Sequence, residues 1–174
     1  MKRADKCIYE LIETRATNEK IYTLGSLIHN KTYNEELKTN GVDTIDADTL
    51  RSVLKENRYS SVKLVIRTHG ITCEMSNTLQ EMQSEFPALS VIDMTCPSVK
   101  RIHRIAEENT DSRTVFILFC NKSHPEAIGI MSYAKGEKYM ISSPEELSRI
   151  KINKKIPRGA DSTTRDFSSF INRG

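Results

Sequence analysis

The chain has 174 residues, 37% hydrophobic and 28% charged, which supplies a core and argues against wholesale disorder. Tryptophan is absent, and glycine (7) and proline (5) are sparse; collagen-like and low-complexity chains are excluded, and no apolar run approaches the ~20 residues of a bilayer-spanning helix. The net charge of +3 is uneven, with 6 basic and 2 acidic side chains in residues 151–174 against 20 and 21 before them, and a near-neutral body with a basic tail speaks against a nucleic-acid partner.

In chain order, Ala4, Cys7, Ile8, Leu11 and Ile12 give the stripe of a helix over 3–16. Residues 20–24 read as a strand ended by Gly25. A short helix over 31–39 stops at Asn40-Gly41, and 42–45 is a short strand. Asp48 is the expected cap of a helix to about Asn57. Residues 62–67 form a strand whose consecutive Leu64, Val65 and Ile66 imply cover on both faces. Met75, Leu79, Met82 and Phe86 mark an amphipathic helix, followed by a strand at 89–92 and a helix over 97–109. Residues 114–120 hold the strongest strand signal, Val115 to Phe119. A helix over 125–134 and a strand at 138–141 follow. Ser143-Pro144-Glu145-Glu146 reads as a capping box that opens a helix to about Ile150.

Alternating strands and helices predict an α/β chain of two similar small domains, each a mostly parallel sheet flanked by helices. About four strands are expected per half. The boundary is expected near Thr95, giving domains 1–95 and 96–174, the second with a basic tail.

Ligands of open α/β sheets bind beyond the carboxyl ends of the strands. Three of the chain's four histidines follow strands: His29, His69 and His124. Gly, Asn or Pro stands beside each, as in turns that aim a side chain. Imidazoles gathered there suit metal binding or the gripping of an anion with helix N-termini. Glu126 lacks the H-E-x-x-H spacing of a zinc hydrolase, so spacing favours the anion. Glu126 is then a proton donor or relay, or a first-turn carboxylate favoured by the helix dipole. The fourth histidine, His103, lies on a helix and reads as structural or as a support behind the ligand-binding residues.

Cys7, Cys73, Cys96 and Cys120 form no C-x-x-C pair, which speaks against a zinc knuckle. Cys7 and Cys120 read as small buried hydrophobes of a reducing compartment. No signal-peptide stretch follows Met1, so a cytoplasmic location is expected. Cys96 differs, because it precedes Pro97 at a helix start, where the dipole favours thiolate. The residues alone leave it a nucleophile, a redox centre or a metal ligand.

Leu27-Ile28-His29-Asn30, Ile66-Arg67-Thr68-His69-Gly70, Asp93-Met94-Thr95-Cys96-Pro97 with Val99-Lys100 and His103, and His124-Pro125-Glu126 with Gly129 occur in that order. With a weaker match at Thr163-Thr164, they resemble the 4-hydroxy-3-methylbut-2-enyl diphosphate reductase (IspH/LytB) family over about residues 1–165. The resemblance implies two domains of a three-domain trefoil. It implies two-electron removal of a hydroxyl to give isopentenyl and dimethylallyl diphosphates, the last step of non-mevalonate isoprenoid synthesis. A central 4Fe–4S cluster held by three cysteines, and an electron donor such as ferredoxin or flavodoxin, are implied as well. By resemblance Cys96 is a cluster ligand, His29, His69 and His124 bind the diphosphate, Glu126 relays protons to the leaving hydroxyl, and Thr163 positions the substrate.

The sequence also departs from that pattern. It starts inside the helix that follows the family's first cluster cysteine, and the third domain with its cysteine and Ser-x-Asn motif is not found. Two of the three expected ligands are therefore expected to be missing. Met94, Ser123 and Ser162 replace Ala, Gly and Gln, and Ile156–Asp161 brings Pro157 and Gly159 into an expected strand. Three readings follow: a reductase incomplete in this chain, a non-catalytic two-domain remnant binding diphosphates weakly at most, and a zinc or iron module built on the histidines.

Overall fold

A computed structural model of the chain describes residues 2–27, 30–56 and 58–150. The chain divides between Cys96 and Pro97 into two compact units.

The first unit runs α1 (Lys2–Glu13), β1 (Glu19–Leu24), α2 (Lys31–Thr39), β2 (Val42–Ile45), α3 (Ala47–Lys55), β3 (Ser61–Ile66), α4 (Cys73–Glu85) and β4 (Leu89–Asp93). Its strands form one sheet in the order β2-β1-β3-β4, parallel at every junction. Parallel neighbours need crossover connections, and the helices supply them. Side chains alternate across the sheet. Ile21, Val42 and Val65 join Ile8 and Leu37 on the face covered by α1 and α2. Tyr22, Leu24, Ile45, Leu64 and Ile66 join Leu50, Leu54, Leu79 and Met82 on the face covered by α3 and α4. The run Leu64-Val65-Ile66 is thus consecutive because its neighbours serve opposite cores, as its sequence implied.

The second unit holds α5 (Pro97–Glu108), β5 (Val115–Phe119), α6 (Pro125–Tyr133), β6 (Glu137–Ile141) and α7 (Pro144–Arg149). Strands β5 and β6 pair in parallel. Phe116, Leu118, Cys120, Ile130 and Met140 share a core with Ile102 and Ala106. Lys138 Nζ donates to the carbonyls of Met131 and Ala134 at 2.8 and 3.1 Å, satisfying acceptors left over at the end of α6.

Two expectations are corrected. The α3 cap is Asp46, not Asp48: its carboxylate accepts the N–H of Thr49 at 2.8 Å, and Asp48 lies in the first turn. The capping box at α7 does not close. Ser143 makes no side-chain cap bond, because Glu146 reaches one residue further back, to the N–H and hydroxyl of Ser142, while Lys122 holds it at 2.6 Å. Of the four strands expected in the second half, two are present among the described residues, and the one expected at 156–161 lies outside them. Among the described residues the run at 115–119 is covered on one face: Ile117 and Phe119 are 36% and 47% exposed. Among the described residues no helix is long and apolar enough to cross a membrane.

Candidate functional site

At the carboxyl edge of the first sheet, backbone pairing runs past the strands. Met94 N–H donates to Ile66 O at 3.2 Å and Cys96 N–H to Thr68 O at 2.9 Å. The β3–β4 ladder therefore carries Cys96 to the backbone beside His69. A turn over 67–70, closed by Gly70 N–H to Arg67 O at 3.1 Å, holds His69. Gly70 has φ +78°, a conformation natural to glycine. Asp93 fixes the last stretch, accepting Thr95 N–H at 2.8 Å, and Thr95 is buried. Cys96 is half-buried and directly precedes the first residue of α5.

The second unit repeats the device. Cys120 N–H donates to Ile141 O at 2.8 Å, one step past β5, and a turn closed by His124 N–H to Asn121 O at 3.0 Å follows. His124 is the N-cap of α6 and Pro125 its first residue, the position proline prefers. The ring Nδ1 accepts the N–H of Glu126 at 3.4 Å and lies 3.8 Å from a carboxylate oxygen of the same residue. The accepted N–H is a long hydrogen bond and the 3.8 Å contact is not one, so the cap orients the ring beside Glu126. The Glu126 side chain is 19% exposed.

The structure thus groups the expected residues as two pairs: His69 with Cys96 at one sheet edge, and His124 with Glu126 at another. His29 and Thr163 lie outside the described residues. Among the described residues no three His, Cys, Asp or Glu side chains converge as a metal site. His103 is buried and stacks on Tyr133 with ring centroids 4.4 Å apart. Cys120 is buried, and desolvation pushes its thiol pKa up, as for a packed hydrophobe.

Two contributors escaped the sequence reading. Asp93, two residues before a buried threonine, is an Asx turn whose signal was legible. Arg67 is half-buried, and its guanidinium Nη1 lies 3.8 Å from the point where a Cβ on Gly25 would stand. Only the adjacency of β1 and β3 reveals that contact.

The family model described as "LytB protein" matches residues 1–171. A 4-hydroxy-3-methylbut-2-enyl diphosphate reductase of Caldanaerobacter subterraneus is 32% identical over 150 residues, covering 86% of this chain and 48% of that protein. One of Campylobacter hominis is 34% identical over 158 residues, covering 88% and 52%. The solved structure of (E)-4-hydroxy-3-methyl-but-2-enyl diphosphate reductase, the terminal enzyme of the non-mevalonate pathway, matches with TM-score 0.60 at 29% identity over 85% of this chain and 48% of that one. The Plasmodium falciparum reductase, at 21% identity and TM-score 0.65, shares the fold. This chain spans about half the length of the curated relatives it matches, and on its family match and these identities it belongs to the LytB family.

Proposed function

We propose that this chain carries two of the three α/β lobes of a reductase acting on 4-hydroxy-3-methylbut-2-enyl diphosphate. The observation that carries the reading is the His124 cap. The cap engages Nδ1, and Nε2 is the ring nitrogen that meets a phosphate oxygen. His69, His29 and Thr163 serve the same substrate. Glu126, largely shielded from water, holds the proton delivered to the leaving hydroxyl.

An iron–sulfur cluster supplies the two electrons in this family's chemistry, fed by a donor such as ferredoxin or flavodoxin. Such clusters are held by several thiolates. Cys96, half-buried at a strand end, suits one of them. Cys7 on α1, Cys73 on α4 and the packed Cys120 form no metal-ligating set with it. The donors of this chain alone do not fit the cluster, and no redox step is assigned to it here. The second reading is a two-domain remnant that binds diphosphates weakly at most. All four cysteines are free thiols, which suits a cytoplasmic location.

Calorimetry with inorganic pyrophosphate and with the hydroxymethylbutenyl diphosphate tests the reading. Binding of both, weakened in His69→Ala and in His124→Ala, supports it. A wild-type chain that binds neither overturns it. Binding without reduction, under dithionite and with a cluster-loaded partner lobe supplied, selects the remnant.

A further inference from the structure

We propose that Arg67 is a further anion ligand, a fixed positive charge beside His69. The inference rests on the diphosphate reading and adds a residue to it.

Arg67 is the first residue beyond β3. Its carbonyl closes the turn that holds His69, and the carbonyl of the next residue receives the N–H of Cys96. The guanidinium reaches across to β1, where Leu24 pairs with Ile66, and comes to rest over Gly25. Gly25 has φ +70°, a backbone conformation that glycine adopts without strain.

The cation is half-buried and, among the described residues, has no hydrogen bond or ion pair. Its neighbours on the same sheet are different. Lys20 is bonded to Asp43 and Lys63 to Glu19 at 2.8 Å. Arg51, on α3, meets Glu85 at 2.7 Å. An arginine cannot shed its charge, so partial desolvation without a counter-ion costs free energy that a bound anion returns. It stands at the strand end where α/β sheets take ligands, two residues from a histidine of the proposed site.

The charge balance of the ligand points the same way. A diphosphate brings several negative charges. A guanidinium adds full charge and a planar fork that matches two phosphate oxygens.

The test is calorimetric titration of the full chain with inorganic pyrophosphate at constant ionic strength, on wild type, Arg67→Ala, Arg67→Lys and His124→Ala, each checked by thermal melting. The expected result is at least a tenfold loss of affinity in Arg67→Ala at near-unchanged Tm, with Arg67→Lys intermediate, since lysine restores charge but not the fork. Arg67→Ala binding as wild type, with His124→Ala weakened, overturns the proposal and leaves the diphosphate reading standing. Weakening in Arg67→Ala alone keeps an anion site at Arg67 and removes His124 from it. A wild-type chain that does not bind pyrophosphate overturns both. If Arg67→Ala fails to fold, Arg67→Lys decides: wild-type affinity in that variant counts against the fork.

Discussion

Nδ1 of His124 accepts the backbone N–H of Glu126 across 3.4 Å. This one bond caps α6 and orients the ring. Substitution separates the two consequences. Asparagine is among the best N-caps, so His124→Asn is expected to keep near wild-type stability. His124→Ala loses about 1 kcal/mol. Both lose the Nε2 donor, and each is expected to weaken pyrophosphate binding by the ~1.5–3 kcal/mol of a hydrogen bond to a charged group. Calorimetry beside thermal melts checks this, and wild-type affinity in both variants refutes the assigned role.

His103 provides the contrast. It is buried and stacked on Tyr133, between α5 and α6. His103→Ala removes a packed ring and is expected to cost about 2–4 kcal/mol of stability through the cavity left behind. Pyrophosphate affinity of the folded protein should stay at the wild-type level. A variant that melts normally but binds poorly would move His103 into the ligand site.

Much of this architecture is legible in the sequence, because the periods are strong. The two-sided burial of β3 follows from three consecutive aliphatic residues, and α2 and β2 begin and end where Asn40-Gly41 and the apolar pairs imply. Failures occur where local chemistry has near-equivalent options. Asp46 and Asp48 are both credible caps, and only the backbone decides that Asp46 faces the Thr49 N–H. Glu146 has Lys122 within 2.6 Å, a contact across 24 positions that no capping rule contains. The histidines following strands were visible as a pattern. The contact of Arg67 with Gly25 was not, because sheet order joins residues 42 apart. Ile117 and Phe119 show the limit of reading apolar runs: hydrophobicity marks the strand but not whether its second face is covered.

Gly136 supports a different edge of the second unit. Its φ is +74°, and a Cβ there would stand 2.7 Å from the Thr114 carbonyl oxygen and closer still to that of Asp111. Backbone cannot yield as a flexible side chain does. Gly136→Ala is expected to combine the ~1–2 kcal/mol of a left-handed alanine with ~1–3 kcal/mol of overpacking. A lower urea midpoint at unchanged m reports it. An unshifted midpoint would mean the 111–114 turn moves aside freely.

That turn also titrates. The Arg113 N–H, then the Thr114 hydroxyl and the Arg113 guanidinium, hold the Asp111 carboxyl down to about 2. A carboxylate depressed in the folded state contributes stability that is present above its unfolded pKa of 3.8 and is lost as pH falls through about 2. Melts between pH 5 and 2 are expected to show this loss in wild type and a flatter profile in Asp111→Asn, which should also be less stable at neutral pH. The group is at the surface, so the effect is small and shrinks with salt. Parallel profiles would remove Asp111 from the acid response.

Cys96 sets the last expectation. The β3–β4 ladder fixes its backbone through Thr68, and among the described residues no set of three His, Cys, Asp or Glu side chains forms a metal site. Reconstitution of this chain alone with iron and sulfide under anaerobic conditions is expected to give no stable 4Fe–4S absorption, since one thiolate leaves most iron positions to exchangeable ligands. Supplying the missing cysteines on a separate polypeptide should create a signal that Cys96→Ala abolishes while leaving the thermal melt close to wild type. A robust cluster in the lone chain that disappears in Cys96→Ala would keep the ligand and refute the incompetence. A cluster that survives Cys96→Ala would refute the ligand itself.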